Sequence, residues 1–195
     1  MADSRTLTNF QIYQMATNAG FDYKALKAII QVESGQHGFS EKTGKILIQF
    51  EPAWCKREYM HWKTDTTHTL WQSNGVGDQT QEWAAFNDAF AIDPDAAMKS
   101  TSIGMMQVMG FHYSELGFKT VGAMWDYAKI NEANQVALAI KFIQSVPPLN
   151  NALKAKDWDK VAYYYNGANY KEFHYADRLA ASYRLCDSYT LSQAA

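Results

Sequence analysis

The segment from Asp22 to Gly35 constrains the fold most, because it carries the complete set of signals for one amphipathic helix. Asp22 is a typical helix N-cap residue, and Gly35 is a typical residue at which a helix ends. Apolar side chains recur between them at spacings of three and four, on a helix face that also carries Glu33; they are Leu26, Ile29 and Ile30. The sequence therefore predicts a helix that packs into a core through a face with a carboxyl group at its rim.

The position of Glu33 predicts an unusual protonation state. Apolar neighbours disfavour the charged form of a carboxyl group, and the negative end of the helix dipole, close to Gly35, repels a carboxylate. A carboxylic acid that keeps its proton near neutral pH can donate it to a glycosidic oxygen. Glu33 is accordingly a candidate general acid. The alternative is a solvated glutamate in the last turn of an ordinary helix.

Further start and stop signals predict helices along most of the chain. Thr8 and Gln11 resemble a capping box for a first helix that Gly20 ends. Asp93 and Pro94 open another helix, and the Pro147-Pro148 pair separates two more. The remaining apolar periodicity predicts helices near residues 79–90, 93–100, 120–128, 132–145, 150–155, 158–165 and 176–189. Residues 54–77 show no clear hydrophobic periodicity, so we expect a loop that can include one short helix.

One segment has the pattern of a strand. After a turn at residues 43–45, the side chains of Ile46, Ile48 and Phe50 alternate with those of Leu47, Gln49 and Glu51. The expected fold class is therefore mainly α, with a small β-hairpin or short sheet near residues 37–51. We expect residues 1–195 to form a single domain.

Composition narrows the classes of function. The chain has 195 residues, of which 47% are hydrophobic, so it can bury one sizeable core. The net charge of -2, without a basic stripe, argues against nucleic acid as a partner. Residues 1–8 lack the apolar core of a secretory signal, and no apolar run reaches the ~18 residues of a membrane span. We expect a monomer that is made in the cytoplasm.

The cysteines and histidines point away from metal chemistry. Cys55 and Cys186 lie far apart in sequence, and in a reducing compartment we expect them to be buried free thiols. The five histidines include no pair at the spacing that would place two ligands on one helix face. We expect neither a metal nor another cofactor.

Two more segments have residue types that suit sugar binding. Ser102 and Gln107 lie in a stretch with small residues, which would let the backbone approach a ligand while the Gln107 amide donates and accepts hydrogen bonds. Tyr165 and Asn166 offer an aromatic face beside an amide. The methionines in and near the first of these segments are expected to fill the core rather than touch a ligand; they are Met98, Met105, Met106 and Met109.

These segments together resemble a known superfamily. Glu33-Ser34, the Ser102-to-Gln107 segment and Tyr165-Asn166-Gly167, in that order, are similar to motifs of goose-type lysozymes and lytic transglycosylases. More narrowly, residues 30–35, 46–51, 102–104 and 107–110 resemble the N-acetylmuramidase family of phage endolysins. The resemblance runs from about residue 8 to residue 189. It implies a lysozyme-like α+β fold in one catalytic domain without a separate wall-binding module. It also places Glu33 as the acid, with Ser102, Gln107, Tyr165 and Asn166 at the substrate.

The resemblance also implies the reaction. An N-acetylmuramidase cleaves the β-1,4 bond between N-acetylmuramic acid and N-acetylglucosamine in bacterial peptidoglycan. In an endolysin this causes host lysis, after a membrane-permeabilising partner of the holin type lets the enzyme pass from the host cytoplasm to the cell wall. Two alternatives stay open: a lytic transglycosylase that forms 1,6-anhydro-muramic ends, and a sugar-binding virion module without catalysis.

Glu51 is the candidate for a second catalytic carboxyl group. It follows the strand on the side opposite to Ile46, Ile48 and Phe50, so it can face a groove and orient a water or stabilise positive charge. A strand end that merely faces solvent is the alternative, as is participation of the substrate's own N-acetyl group. Four other carboxylates cannot be ranked from the sequence; they are Asp65, Asp78, Glu82 and Asp88.

Overall fold

A computed structural model describes residues 5–35, 37–75 and 77–189 of the chain. Residues 1–4, on which the expectation of an absent secretory signal partly rests, lie outside the described residues. Within the described ranges, the chain is mostly helical with one small sheet, which confirms the predicted fold class.

The first two helices begin and end at the residues that the sequence predicts. Helix α1 (Asn9–Ala19) has the Thr8 and Gln11 capping box at its start, and Gly20 at its end has a left-handed backbone. Helix α2 (Tyr23–Ser34) begins where Asp22 accepts a hydrogen bond from the Ala25 N–H at 3.0 Å, and it ends at the left-handed Gly35. Local capping therefore determines where α2 ends and so places Glu33 in its last turn.

Eight further helices complete the described fold, and most of them match the predicted ranges. They are α3 (Pro52–Glu58), α4 (Gln79–Ile92), α5 (Pro94–Lys99), α6 (Val121–Ile130), α7 (Glu132–Ser145), α8 (Pro147–Ala155), α9 (Trp158–Asn166) and α10 (Tyr175–Leu185). Helix α8 begins at Pro147 rather than at residue 150, because proline is well suited to the first turn of a helix. Among the described residues, no helix has the length and apolar character needed to span a membrane.

The small sheet joins the predicted strand to a distant segment. Strand β1 (Ile48–Phe50) pairs antiparallel with β2 (Thr101–Ile103), which in turn pairs with β3 (Val108–Met109). The prediction of a sheet contained within residues 37–51 is therefore incomplete, since an isolated bridge from Phe39 to Ile46 is the pairing found inside that range. Two of the three strands come from residues 101–109.

The hydrophobic core lies under the sheet and between the helices as one cluster. The alternation predicted for the strand is confirmed, because Ile46, Ile48 and Phe50 are buried while Leu47 and Gln49 are half-buried. Leu26, Ile29 and Ile30 of α2 have no exposed surface. Burial of this face anchors α2 and leaves Glu33 at the boundary between the core and the surface.

Both cysteines and most of the methionines behave as predicted. Cys55 and Cys186 are buried free thiols. Met105 and Met106 are buried in the core, and Met98 packs against it. Met109 is the exception, because it is half-buried and lines a cleft.

Candidate active site

A cleft of about 380 Å³ lies between the end of α2, the sheet and helices α9 and α10. All six residues predicted for the site line it; they are Glu33, Glu51, Ser102, Gln107, Tyr165 and Asn166. These residues come from four segments that are far apart in sequence. The fold therefore brings together the groups that the sequence motifs singled out, while the role of each group stays a prediction.

Glu33 lies in this cleft with a carboxyl oxygen that makes no hydrogen bond. The side chain is half-buried, yet its Oε1 atom is fully buried and has no partner among the described residues. Burial raises the pKa of Glu33 from 4.5 to about 8, because the charged form loses its hydration, and the nearby Arg178 guanidinium opposes this by lowering the pKa. The carboxyl group is therefore protonated at neutral pH, as predicted from the end of the apolar helix.

Helix α10 holds the end of α2 in place. The Arg178 guanidinium donates through Nη2 to the Val32 carbonyl oxygen at 2.9 Å, and the Ser182 hydroxyl donates to Gln31 Oε1 at 2.5 Å. The Cys186 thiol lies 3.2 Å from the same Gln31 oxygen. Carbonyl groups in the last turn of a helix lack intrahelical partners, so Arg178 satisfies one of them right beside Glu33.

Glu51 lines the cleft at the point where β1 passes into α3. Its Oε1 atom accepts a hydrogen bond from Gln49 Nε2 at 2.7 Å. Burial raises the pKa of Glu51, the Gln49 hydrogen bond opposes that shift, and the negative charge of Glu82 adds to it. The half-buried Glu51 therefore does not have the environment of a simple solvent-facing strand end.

Ser102 and Gln107 are bound to each other rather than free for a ligand. The Ser102 hydroxyl donates to Gln107 Oε1 at 2.7 Å, and Gln107 Nε2 donates to the Gly104 carbonyl at 2.7 Å. Gln107 has a left-handed backbone with φ of 48°, which costs energy for a residue other than glycine. These two bonds hold the turn together and leave Gln107 with one amide hydrogen to offer a sugar.

The Tyr165 hydroxyl is likewise used within the protein. It donates to the Met106 carbonyl oxygen at 2.9 Å, and its ring meets Phe142 edge-on at 5.7 Å between centroids. Burial strongly raises the pKa of Tyr165, and the nearby Glu33 charge adds to the shift. Asn166 is exposed at the end of α9, so its amide is available at the cleft surface.

The expectation that small residues bring backbone close to a ligand is not met at Gly104. Gly104 is absent from the cleft lining, and a Cβ atom there would lie 2.5 Å from Cδ of Gln135. The buried Gln135 accepts a hydrogen bond from Met105 N–H at 2.7 Å and donates to the Ala128 carbonyl at 3.1 Å. The glycine therefore makes room for a side chain of α7 and not for substrate.

The four carboxylates that the sequence could not rank lie outside the cleft lining. Asp65 and Asp78 accept backbone hydrogen bonds at a turn and at the start of α4. Glu82 is buried and accepts from the Phe50 and Gly77 N–H groups, and Asp88 accepts from the Trp71 N–H. Their contacts give all four a structural role. Among the described residues, no group of three or more potential ligands is placed to hold a metal ion.

Sequence reasoning missed several residues of the cleft, which are Val32, Gln49, Met109, Tyr175 and Arg178. Tyr175 is 2% exposed, and its hydroxyl has no partner among the described residues. No motif in the sequence marks Arg178 as a site residue. Its distance along the chain from Val32, 146 residues, leaves no local signal that the two residues meet.

Size alone does not identify this cleft. A larger cavity of about 510 Å³ lies between the start of α1, α2 and residues 187–189. Neither Glu33 nor Glu51, whose pKa values burial raises, lines this larger cavity. The chemistry of the lining therefore favours the smaller cleft as the active site.

Known proteins resemble this chain in both sequence and fold. The sequence model of the N-acetylmuramidase family matches residues 22–187, a range that contains all six predicted site residues. Among solved structures, the chain is similar to the crystal structure of Burkholderia AP3 phage endolysin, with a TM-score of 0.82 and 30% sequence identity. The similarity covers 94% of this chain and 73% of that chain. No curated protein sequence matches this chain.

Proposed function

Since this chain belongs to the N-acetylmuramidase family, we propose that it cleaves the β-1,4 bond between N-acetylmuramic acid and N-acetylglucosamine in bacterial peptidoglycan, with Glu33 as general acid. The similarity to a phage endolysin supports a role in host lysis. We also propose that the protein is a monomer and that a holin-type partner lets it reach the cell wall.

One observation carries the proposal: the buried, unpartnered Oε1 atom of Glu33 in a cleft lined by polar side chains. A buried oxygen without a hydrogen bond is unfavourable by about 1–3 kcal/mol in a protein, so it is retained where it has a use. The raised pKa keeps a proton on this carboxyl group near neutral pH. An acid in that state can protonate the bridging oxygen as the glycosidic bond breaks.

The other cleft residues have roles that fit this step. As the bond breaks, positive charge develops on the sugar ring, and the Glu51 carboxyl group can stabilise that charge or orient the attacking water. The remaining amide hydrogen of Gln107 and the exposed Asn166 amide can bind sugar hydroxyl and acetamido groups. Ser102 and Tyr165 act mainly by holding the turn and α9 in register.

Replacement of the acid tests the proposal. Glu33→Gln keeps the shape of the side chain but removes its acidic proton. The rate of lysis of purified peptidoglycan should therefore fall by about 10²–10⁴-fold, the usual contribution of a general acid. Glu172→Gln is the matched control, because Glu172 is exposed and absent from the cleft lining. A folded Glu33→Gln protein that digests peptidoglycan at nearly the wild-type rate would refute the assignment.

Mass spectrometry of the digest identifies the reaction. Reducing muramic acid ends are expected, since a muramidase adds water across the bond. Anhydro-muramic ends would instead identify a lytic transglycosylase that uses the same acid. Binding to peptidoglycan without any soluble product would identify a sugar-binding module.

A further inference from the structure

Arg178 brings a positive charge into the cleft that the reaction does not require. Among the described residues that line the cleft, it is the sole cation, whereas Glu33 and Glu51 are both acids. Its side chain is exposed, and no carboxylate of the described residues lies within ion-pair distance of it. The guanidinium therefore lacks an anionic partner in the part of the chain that the structure describes.

A hydrogen bond to the protein fixes one edge of the guanidinium group and so orients its remaining N–H donors. Nη2 donates to the Val32 carbonyl at 2.9 Å, and the guanidinium carbon lies 5.9 Å from the centre of the Tyr175 ring. Guanidinium has five N–H donors in a planar fork, so several donors remain once the Val32 bond is made. This fork matches the two oxygens of a carboxylate, and an arginine held in place loses less freedom on binding.

We propose that Arg178 binds a carboxylate of the glycan substrate, next to the bond that is cleaved. This inference rests on the proposed function, because N-acetylmuramic acid differs from N-acetylglucosamine by a lactyl ether that ends in a carboxyl group. In peptide-free glycan that carboxylate is free. In peptide-bearing glycan it forms an amide with the stem peptide, which has carboxylates of its own. Both sources present the same chemistry to Arg178.

A simpler role for Arg178 would be to cap α2 and to adjust the Glu33 acid. That role does not depend on negative charge on the substrate. Neutralising the substrate carboxylates therefore distinguishes it from carboxylate binding. Glycan strands whose carboxylates have been converted to amides keep their sugars and lose their negative charge. The comparison is made at pH 6, where carboxyl groups of ordinary pKa on the native strands are ionised.

Binding is measured in a Glu33→Gln background, so that the strands are not cut. We expect amidation of peptide-free strands to weaken binding about tenfold or more, the loss typical of a charge-assisted hydrogen bond. A protein that also carries Arg178→Gln should bind native strands with this weaker affinity and should be insensitive to amidation. Arg178→Lys should keep part of the preference, because it keeps the charge without the planar fork.

Arg184→Gln is the matched control, since Arg184 is an exposed arginine of the same helix and does not line the cleft. It removes the same charge from the protein and should leave both affinities unchanged. The same series on peptide-bearing strands separates the two carboxylates. A preference seen with peptide-free strands alone identifies the lactyl carboxylate, and one seen with peptide-bearing strands alone identifies the stem. A preference seen with both kinds of strand means that Arg178 accepts either carboxylate.

The inference would be overturned if, with both kinds of strand, amidation weakened binding equally with and without Arg178 or weakened it in neither protein. This result is distinct from failure of the proposed function. A wild-type protein that binds strands with the expected charge preference but releases no cleaved product would refute the muramidase assignment and leave the role of Arg178 intact. Normal cleavage by a protein whose binding ignores amidation would do the reverse.

Discussion

The hydroxyl of Tyr165 donates a 2.9 Å hydrogen bond to the backbone carbonyl of Met106. This bond joins the end of α9 to the turn that carries Gln107, across 59 residues of sequence. Two walls of the cleft are therefore held together by a side chain whose motif suggests sugar binding. The first use of Tyr165 is to fix the geometry into which a sugar would fit.

Tyr165→Phe should lower the free energy of unfolding by about 1–2 kcal/mol, because the Met106 carbonyl loses its donor in a half-buried site. Activity should fall less than in Glu33→Gln, since the aromatic ring is kept. Urea denaturation and peptidoglycan turnover measure the two effects. Tyr164→Phe, which changes an exposed tyrosine next in sequence, is the control. Unchanged stability in Tyr165→Phe would show that this bond is not formed in solution.

Glu33 should make the protein less stable as the pH rises. Its pKa of about 8 in the folded state lies above the value of 4.5 for a free side chain, so the folded protein binds the extra proton between these pH values. The stabilisation is complete below pH 4.5 and is lost as the pH rises towards 8. Glu33→Gln escapes this loss and should be more stable at pH 7 by at most about 3 kcal/mol, with little difference near pH 4. Denaturation at pH 4, 6 and 8 measures this trend, and a difference independent of pH would contradict it.

The rate of peptidoglycan cleavage should fall above about pH 8, where Glu33 loses its proton. Arg178→Gln should move this alkaline limb to higher pH, because the guanidinium lowers the pKa of Glu33. Arg184→Gln should leave the limb in place. The test is the pH dependence of kcat/KM for the wild type, Arg178→Gln and Arg184→Gln. A shift of the Arg178→Gln limb to lower pH would mean that the charge acts on another group.

Gly104→Ala should destabilise the fold more than Gly117→Ala. Both glycines have left-handed backbones, with φ of 70° and 87°, so alanine is strained at either position by about 1–2 kcal/mol. A Cβ atom at Gly104 would also meet Gln135 Oε1 at 2.5 Å, whereas nothing lies within 4 Å at Gly117. The difference between the two losses of unfolding free energy gives the cost of the contact with Gln135. Equal losses would argue against close approach of α7 to this turn.

Local chemistry made much of this fold predictable from sequence. Thr8, Asp22 and Gly35 mark helix ends through hydrogen bonds within a few residues, so their effect can be identified without knowledge of the tertiary structure. The same applies to Glu33, whose raised pKa follows from the apolar helix end on which it lies. The family resemblance then pointed to Ser102, Gln107, Tyr165 and Asn166, which also line the cleft.

The remaining features depend on contacts between distant segments. Strand β2 has three residues that are all buried, so it lacks the alternation that identifies β1. The sequence predicts that the Gln107 amide is available to a ligand, yet Ser102 and Gly104 occupy most of its hydrogen-bonding capacity. Arg178 enters the cleft because α10 packs on α2, a pairing that no local pattern encodes.

The most direct test of the account is the pKa of Glu33 itself, from the pH dependence of the carboxyl ¹³C chemical shift in protein labelled at glutamate. Comparison with Glu33→Gln identifies the resonance. We predict a single titration of Glu33 near pH 8, well above the value of 4.5 for a free glutamate side chain. A titration of Glu33 between pH 4 and 5 would mean that the carboxyl group is ionised at neutral pH, and the proposed acid would have no proton to give.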